Sequence, residues 1–388
     1  MSRFLLRLGE LSLRGKNRYI YEDALVDAIS AKLGDIHHRF EKRVDRILLG
    51  VPDEYDKKAE GALASSFGLA GFARVVECAK DIDSIRETVL RLTGRSALAG
   101  GAASFCVRVR RIDKSFFPNS EELAAIIGTD IHATNPALTV DLKGAAHTVT
   151  VEIRDRAYVY MDDIPGLRGL PTGTQGRGLV LLSAGIDSPV AFYQMAARGM
   201  RLDALYFEGG LYSAPEAVQK VRRLCRVLAR THGPFTLYSL NVQSAIDVVA
   251  REAPKREHTI LHRRLMMHTA ERLARQERHQ ALITGDSLGQ VASQSVESID
   301  SVGSGLSLPI LRPLIGLDKE WIIRRARDIG TFAISKEPAN DFCSLVAGKN
   351  PVTRPKRGRI ARLYEEIHLD TLSRRIVADS VREGIVPG

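Results

Sequence analysis

The stretch Leu179 to Pro189, L-V-L-L-S-A-G-I-D-S-P, is the strongest single constraint on how this chain can fold. Four apolar residues stop abruptly at a small, polar, turn-forming cluster, and Pro189 leads into an apolar segment with Val190, Ala191, Phe192, Met195 and Ala196. That order predicts a buried strand, a tight loop and the start of a helix, with proline in a first turn that needs no N–H from it. Ser183, Gly185 and Ser188 would then turn hydroxyls and backbone N–H groups toward the positive end of the helix, a geometry suited to pyrophosphate. The chain contains no G-x-x-x-x-G-K-[ST], so this is not the common P-loop. Taken alone, the pattern also fits an ordinary β–α turn.

The surrounding texture favours a sheet that carries such a loop. Beyond Gly178, strand patterns at 179–182, 203–207, 235–240, 281–284 and 308–312 alternate with helical patterns at 189–198, 215–230, 259–277 and 318–329. This is the signature of an α/β, doubly wound parallel sheet, in which ligands bind beyond the carboxyl ends of the strands. The tail, 355–388, is basic and then helical.

Residues 1–78 read differently. Strands are expected at Arg3–Arg7, Asp45–Val51 and Ala73–Cys78, with helices at Tyr19–Leu33 and Ala62–Leu69, which suits a small ferredoxin-like α+β unit. Residues 79–165 form a second unit. It has helices at Ile82–Leu92 and from Ser120, which is read as its N-cap, and strands at Ser104–Arg110, Ala137–Leu142, His147–Arg154 and Ala157–Asp162. A glycine-rich stretch, 166–178, is read as a linker to the domain at 179–388.

Two further segments carry chemistry. T-G-D-S-L-G-Q-V-A-S-Q (284–294) follows a strand; its glycines permit close backbone approach and its amides can read a base or ribose. L-R-P-L-I-G-L-D-K-E-W (311–321) places Lys319 in the first turn of a helix, where the dipole disfavours a cation unless an anion shares the site. Lys319 is therefore a candidate phosphate or transition-state contact, the alternative being a lysine that reaches to solvent. Arg263 and Arg264 sit on one helix; one of them could clamp a phosphate, or both could lie on a solvated face.

Charge and cysteines narrow the class. The net charge is +10, nearly all of it beyond residue 170, which suits a polyanionic partner. An RNA contact in the N-terminal half would have to use local clusters: Arg14, Lys16 and Arg18, then Arg108, Arg110, Arg111 and Lys114. Cys78, Cys106, Cys225 and Cys343 are scattered without a C-x-x-C, so no zinc ribbon or self-contained iron–sulfur site is expected. Cys343, in P-A-N-D-F-C-S-L, follows the third motif closely, which places it near the nucleotide site or, alternatively, makes it a buried thiol. No metal-ligand set, membrane span or secretion signal is read, and a cytoplasmic location is expected.

The S-A-G-I-D-S loop resembles that of the PP-loop ATP pyrophosphatases. Together with R-L-G-E-L-S-L-R-G-K-N-R (7–18), the linker 169–178 and the two later motifs, it is similar, in the same order, to the tRNA 4-thiouridine synthetase (tRNA sulfurtransferase, ThiI) family. The resemblance spans nearly the whole chain. It implies a ferredoxin-like domain, a THUMP RNA-binding domain and a PP-loop ATP pyrophosphatase domain. It also implies a reaction: with ATP and Mg²⁺, the C4 oxygen of uridine 8 in tRNA is adenylated, and a cysteine persulfide then displaces AMP. Some members of the family also serve thiamine thiazole synthesis.

Carried over to this sequence, the resemblance assigns Asp187, Lys319 and Cys343 to the chemistry. It assigns Leu182, Ser183, Ala184, Gly185, Ile186, Asp187, Ser188, Tyr206, Phe207, Arg263, Gly285 and Gln294 to ATP. A homodimer is a further family expectation. Three departures stand out: Ala184 replaces a glycine, E-G-G-L-Y-S-A-P after Phe207 lacks the family's His-Ser-Pro-Pro, and no rhodanese-like extension follows. Sulfur is then expected from a cysteine desulfurase or a separate rhodanese-like protein, with Cys225, Cys106 or an external thiol resolving any disulfide. The alternatives are another adenylating tRNA-modifying enzyme, or a non-catalytic tRNA-binding protein whose loop has decayed at Ala184.

Overall fold

A computed structural model describes residues 1–43, 46–94, 103–338 and 352–388, in two compact units, Met1–Gly169 and Leu170–Gly388. Cys343 lies outside the described residues.

The N-terminal unit is built on one sheet. Its strands run in the order Arg39–Arg43, Arg46–Val51, Ser2–Arg7, Gly71–Cys78, Ala157–Met161, His147–Ile153, Ser104–Arg111 and Thr139–Val140, with Ile164–Pro165 also paired to Gly71–Cys78. The first four, with the helices Arg18–Leu33 and Asp56–Ala64, make the β-α-β-β-α-β unit of a ferredoxin-like fold. The remainder, with the helices Ile82–Thr93 and Ser120–Thr134, continues the same sheet through Gly71–Cys78 and Ala157–Met161. Phe105, Val149, Val151, Ile153 and Val159 face Ile85, Val89, Leu123 and Ile127 across the core. A buried ion pair, Arg46–Glu152 at 2.6 Å, joins the two halves of the sheet, and the Tyr160 hydroxyl donates to Glu152 at 2.9 Å.

Several expectations here are corrected. Strand Arg39–Arg43 escaped the sequence reading because R-F-E-K-R shows no apolar alternation; its exposed charges are those of an edge strand. The helix expected at 62–69 lies earlier, at Asp56–Ala64, because Gly68 adopts φ +103° in the turn that follows. The strand expected over 137–142 shrinks to Thr139–Val140. Asn119, not Ser120, caps the helix Ser120–Thr134: its side chain accepts from the Glu121 and Glu122 amides, and Glu122 completes a capping box.

The C-terminal unit is a six-stranded sheet in the order Ile310–Leu311, Ala281–Ile283, Arg177–Leu181, Arg201–Glu208, Phe235–Asn241 and Val381–Ile385. The first five are parallel, and Val381–Ile385 joins antiparallel against Phe235–Asn241. This last strand corrects the reading of the tail as purely helical; V-R-E-G-I is too polar to announce itself as a strand. The helices Gln243–Glu252 and Val296–Gly303 are also additions, and strand Arg177–Leu181 begins inside the stretch read as linker.

From Arg177–Leu181 the chain builds outward to one side, then returns to lay Ala281–Ile283 on the other. The carboxyl end of Arg177–Leu181 is therefore the point where the strand order reverses, the place a doubly wound sheet opens for a ligand. Leu179, Leu205, Leu240, Leu261, Leu265 and Leu273 fill the core beneath it.

Candidate functional site

The loop 182–188 leaves that strand end and enters the helix Asp187–Ala197. The Leu182 amide is tied to the Leu205 carbonyl at 2.8 Å, continuing the ladder, and the hydroxyls then hold the loop closed. Ser188 Oγ accepts from the Ser183 amide at 2.8 Å and lies 3.0 Å from Ser183 Oγ, while the Gly185 amide donates to Ser183 Oγ at 3.3 Å. Ala184 is buried and is not among the residues with positive φ, so its Cβ carries no left-handed strain. The departure from glycine at this position therefore costs the loop no left-handed backbone strain.

Asp187 is the first residue of the helix, where a carboxylate meets the positive end of the dipole. One oxygen accepts from Lys319 Nζ at 2.5 Å and the other from Gln290 Nε2 at 2.8 Å. Lys319 itself opens the helix Lys319–Asp328, whose N-cap Asp318 accepts from the Trp321 amide at 2.7 Å. The anion required to accommodate a cation in that first turn is thus Asp187. Gly285 explains how the second motif comes so close: a Cβ there would stand 2.8 Å from the Ser188 amide nitrogen and 3.0 Å from the Asp187 carbonyl carbon. The close approach predicted for this glycine is to the head of the loop helix.

Behind the loop lies a buried carboxylate, Asp286. Its Oδ1 accepts from Arg263 at 2.5 Å and from Gln294 Nε2 at 3.4 Å; its Oδ2 accepts from the Thr284 hydroxyl at 2.8 Å and from Arg312 Nε at 3.4 Å. Burial would raise this carboxyl, but Arg263, Thr284 and Arg312 outweigh it and hold Asp286 below its ordinary range. Arg263 also donates to the Ser293 carbonyl, so its guanidinium is spent on the wall of the site. Tyr206 and Phe207 are 1% and 2% exposed, which makes their rings core residues; toward a ligand they offer only the end of their strand.

The other side of the loop is braced from a distance. Ser335, in the helix Phe332–Lys336, donates to the Gly185 carbonyl at 3.1 Å. Buried Lys220 donates in turn to the carbonyls of Ser335 (2.8 Å) and Glu337 (2.7 Å), and Arg223 grips the Glu337 carboxylate with two bonds of 2.6 and 2.8 Å. Asp286, Arg312 and Ser335 were missed as site residues by sequence reasoning, and Gln290 was read only as one of two amides that can read a base or ribose, whereas here it holds Asp187. Asp286 and Arg312 stand inside the two later motifs, where a carboxylate and a guanidinium beside glycines were signal enough; Ser335 carries no local signal.

The N-terminal basic residues divide. Lys16, Arg108, Arg110 and Lys114 are exposed. Arg14 pairs with Glu10 at 3.1 Å and covers the Tyr21 ring, and Arg18 pairs with Glu22. Arg110 stands 3.7 Å from Glu152. Arg111 is a loop organiser: it donates to the carbonyls of Phe116 and, at 3.3 Å, Pro118. Of the thiols, Cys225 is fully buried and burial pushes it up to about 12, while Cys106 is 3% exposed. No described helix is long and apolar enough to cross a membrane.

Comparison with known proteins follows the same outline. A family model described as thiamine biosynthesis protein (ThiI) matches residues 173–369, one for the ThiI ferredoxin-like domain matches 3–73, and one for the THUMP domain matches 79–162. The chain is 41% identical over 374 residues to a probable tRNA sulfurtransferase of Treponema pallidum, covering 96% of this chain and 93% of the relative. It is 38% identical over 376 residues to a probable tRNA sulfurtransferase of Coxiella burnetii, covering 95% of each. The crystal structure of a 4-thiouridine synthetase–RNA complex with bound ATP matches with a TM-score of 0.89 at 29% identity, over 99% of this chain and 100% of that one. PH1313 from Pyrococcus horikoshii shares the fold, with a TM-score of 0.65 at 23% identity over 85% of this chain. With its loop, both later motifs and all three family models falling in one order along the chain, this protein belongs to the ThiI family.

Proposed function

We propose that this protein is an ATP-dependent tRNA sulfurtransferase that converts uridine 8 of tRNA to 4-thiouridine. The observation that carries the reading is the convergence of Asp187 and Lys319, far apart in sequence, at the head of the loop helix where the strand order reverses. The names of the relatives, and the ATP and RNA bound in the matching crystal structure, support the same substrates.

The chemistry follows from leaving groups. The C4 oxygen of uracil departs poorly, so it must first be bound to something that departs well. In the proposed first step that oxygen attacks the α-phosphorus of ATP and pyrophosphate leaves. The loop amides and the hydroxyls of Ser183 and Ser188 would hold the pyrophosphate, and Lys319, released from Asp187, would meet the charge that develops on it. In the second step the outer sulfur of a Cys343 persulfide adds to C4 and AMP carries the oxygen away. A further thiol then breaks the sulfur–sulfur bond, leaving 4-thiouridine and a disulfide. Cys225 and Cys106 are both buried, and Cys78 is half-buried with its thiol pushed up by burial, which favours a thiol from outside the chain.

Mg²⁺ fits the donors present. Among the described residues no group of three or more His, Cys, Asp or Glu could cage a metal. Asp187 beside the loop hydroxyls is the single carboxylate that a hydrated Mg²⁺ on nucleotide phosphates needs. When bound, the ion would neutralise phosphate charge. The sulfur donor in this reading is a cysteine desulfurase or a rhodanese-like protein.

The test is pyrophosphate release from ATP with unmodified tRNA. Release that requires both tRNA and Asp187 is expected, whereas release unchanged in Asp187→Ala would overturn the site. Cys343→Ser should release pyrophosphate and form no 4-thiouridine; normal thiolation in that variant would remove Cys343 from the mechanism.

A further inference from the structure

Ser335 spends its hydroxyl on the nucleotide loop rather than on its own helix. A serine inside a helix often turns its hydroxyl back onto the carbonyl one turn earlier. Here the Thr331 carbonyl accepts from the Ser335 amide at 2.9 Å, and the hydroxyl donates instead to the Gly185 carbonyl at 3.1 Å, 150 residues away in sequence. The helix that carries it, Phe332–Lys336, is short but firmly seated. Buried Lys220, on the helix Pro215–His232, holds the Ser335 and Glu337 carbonyls at its C-terminal end, where a cation suits the helix dipole. Arg223, on the same long helix, grips the Glu337 carboxylate with two bonds.

The bond to Gly185 fixes a peptide plane. In a trans peptide the C=O and the following N–H point in opposite directions. The one cis bond among the described residues is Phe117–Pro118, so tying the Gly185 carbonyl to Ser335 turns the Ile186 N–H to the far side. Ile186 is the N-cap of the helix Asp187–Ala197, and its amide stands among the leading N–H groups that lack a partner within the helix and favour an anion. The loop does little to hold this plane by itself. The residue four positions beyond Gly185 is Pro189, which has no N–H to give the Gly185 carbonyl. A Cβ at Gly185 would meet only Ser183 Oγ, at 3.4 Å, so no steric wall sets the orientation. The bond from the Gly185 amide to Ser183 Oγ fixes the preceding peptide, not this one. The aim of one donor is thus set by a residue outside the loop.

We infer that Ser335 is a positioning residue for the first chemical step. It holds the Gly185–Ile186 peptide so that the Ile186 N–H meets the pyrophosphate as it leaves ATP, and Lys220 holds Ser335 in place. This rests on the adenylating reading above and adds to it a specific donor and the residue that aims it.

Two measurements on the full chain test it. The first is calorimetric binding of inorganic pyrophosphate with Mg²⁺, which needs no tRNA. Ser335→Ala should weaken that binding about tenfold, the worth of one ordinary hydrogen bond, and leave AMP binding unchanged. Ser335→Thr, which keeps the hydroxyl, should restore it. The second is pyrophosphate release from ATP with unmodified tRNA. Ser335→Ala should lower kcat about tenfold and move the KM for ATP less than about twofold, because the donor meets charge that grows as pyrophosphate departs. Equal pyrophosphate affinity in wild type and Ser335→Ala overturns the positioning role. A loss shared equally by AMP also overturns it, since the bond would then serve the fold of the whole site. If the wild type binds pyrophosphate but releases none from ATP with any tRNA, the proposed function falls, and the binding comparison still decides the role of Ser335.

Discussion

The loop helix in the C-terminal unit and the loop between strand Ser104–Arg111 and helix Ser120–Thr134 in the N-terminal unit handle charge in opposite ways. Around the first, charge is matched inside the protein: Asp187 holds Lys319, and Asp286 holds Arg263 and Arg312. Around the second, Asp113 pairs with Lys80, but Lys114 and Arg108, like Glu121 and Glu122, stand in solvent. A small, highly charged ligand can exchange partners within a preformed set, and until it arrives the internal pairs keep the cations oriented. A long polyanion needs cations it can reach without displacing anything, and its counterions are released on contact.

The sharpest way to break this contrast is Asp286→Ala. It leaves Arg263 and Arg312 facing one another without their anion and should cost about 3–5 kcal/mol. Urea unfolding should show it as a lowered midpoint; an unshifted midpoint would mean the network is not internally balanced. Lys319→Ala comes next. Removing one cation aimed at developing charge should slow pyrophosphate release roughly a hundredfold at saturating ATP, with the urea midpoint little changed. An effect confined to the KM for ATP would make Lys319 a binding group only.

A smaller effect concerns pH. His262 is buried and, chiefly by burial with His258 adding to it, is pushed down to about 4. The unfolded chain takes up this proton near the ordinary value of 6.5 and the folded chain does not. Stability should therefore be fullest above pH 6.5 and fall as pH drops toward 4, by about 1.4 kcal/mol per pH unit at most from this group. His262→Leu should flatten that part of the profile, and an identical slope in the variant would rule the histidine out as its source. The smallest expected effect lies on the other side of the comparison. Lys114→Ala should leave stability alone and reduce the salt slope of tRNA binding by about 1. A drop in stability would show Lys114 to be a folding residue.

The sequence made the parallel sheet legible because buried strands and amphipathic helices differ plainly in period. The loop at 182–188 was legible because its small residues interrupt an apolar run. The ends of the sheets were harder to read. Arg39–Arg43 and Val381–Ile385 are polar edge strands, and their pairing depends on neighbours distant in the chain. The same limit applies at the site. Lys319 could be named from local pattern and Asp187 through the family resemblance, but the brace from Lys220 through Ser335 to Gly185 exists only once separate helices have packed. The same holds for Arg111: composition shows a cation, and only the folded loop shows its bonds to backbone carbonyls.

The antiparallel strand Val381–Ile385 bears on how the protein is made. It covers the outer side of Phe235–Asn241, from which it is separated by most of the C-terminal unit. During synthesis every other strand of that sheet emerges first, and the growing chain carries an uncovered row of N–H and C=O groups until the covering strand arrives. The nucleotide loop can be assembled while that flank is still open to other nascent chains. Premature termination shortly before residue 381 would then yield a polypeptide with its loop and both later motifs intact and a strong tendency to self-associate, a product lost to insolubility rather than to any defect in chemistry.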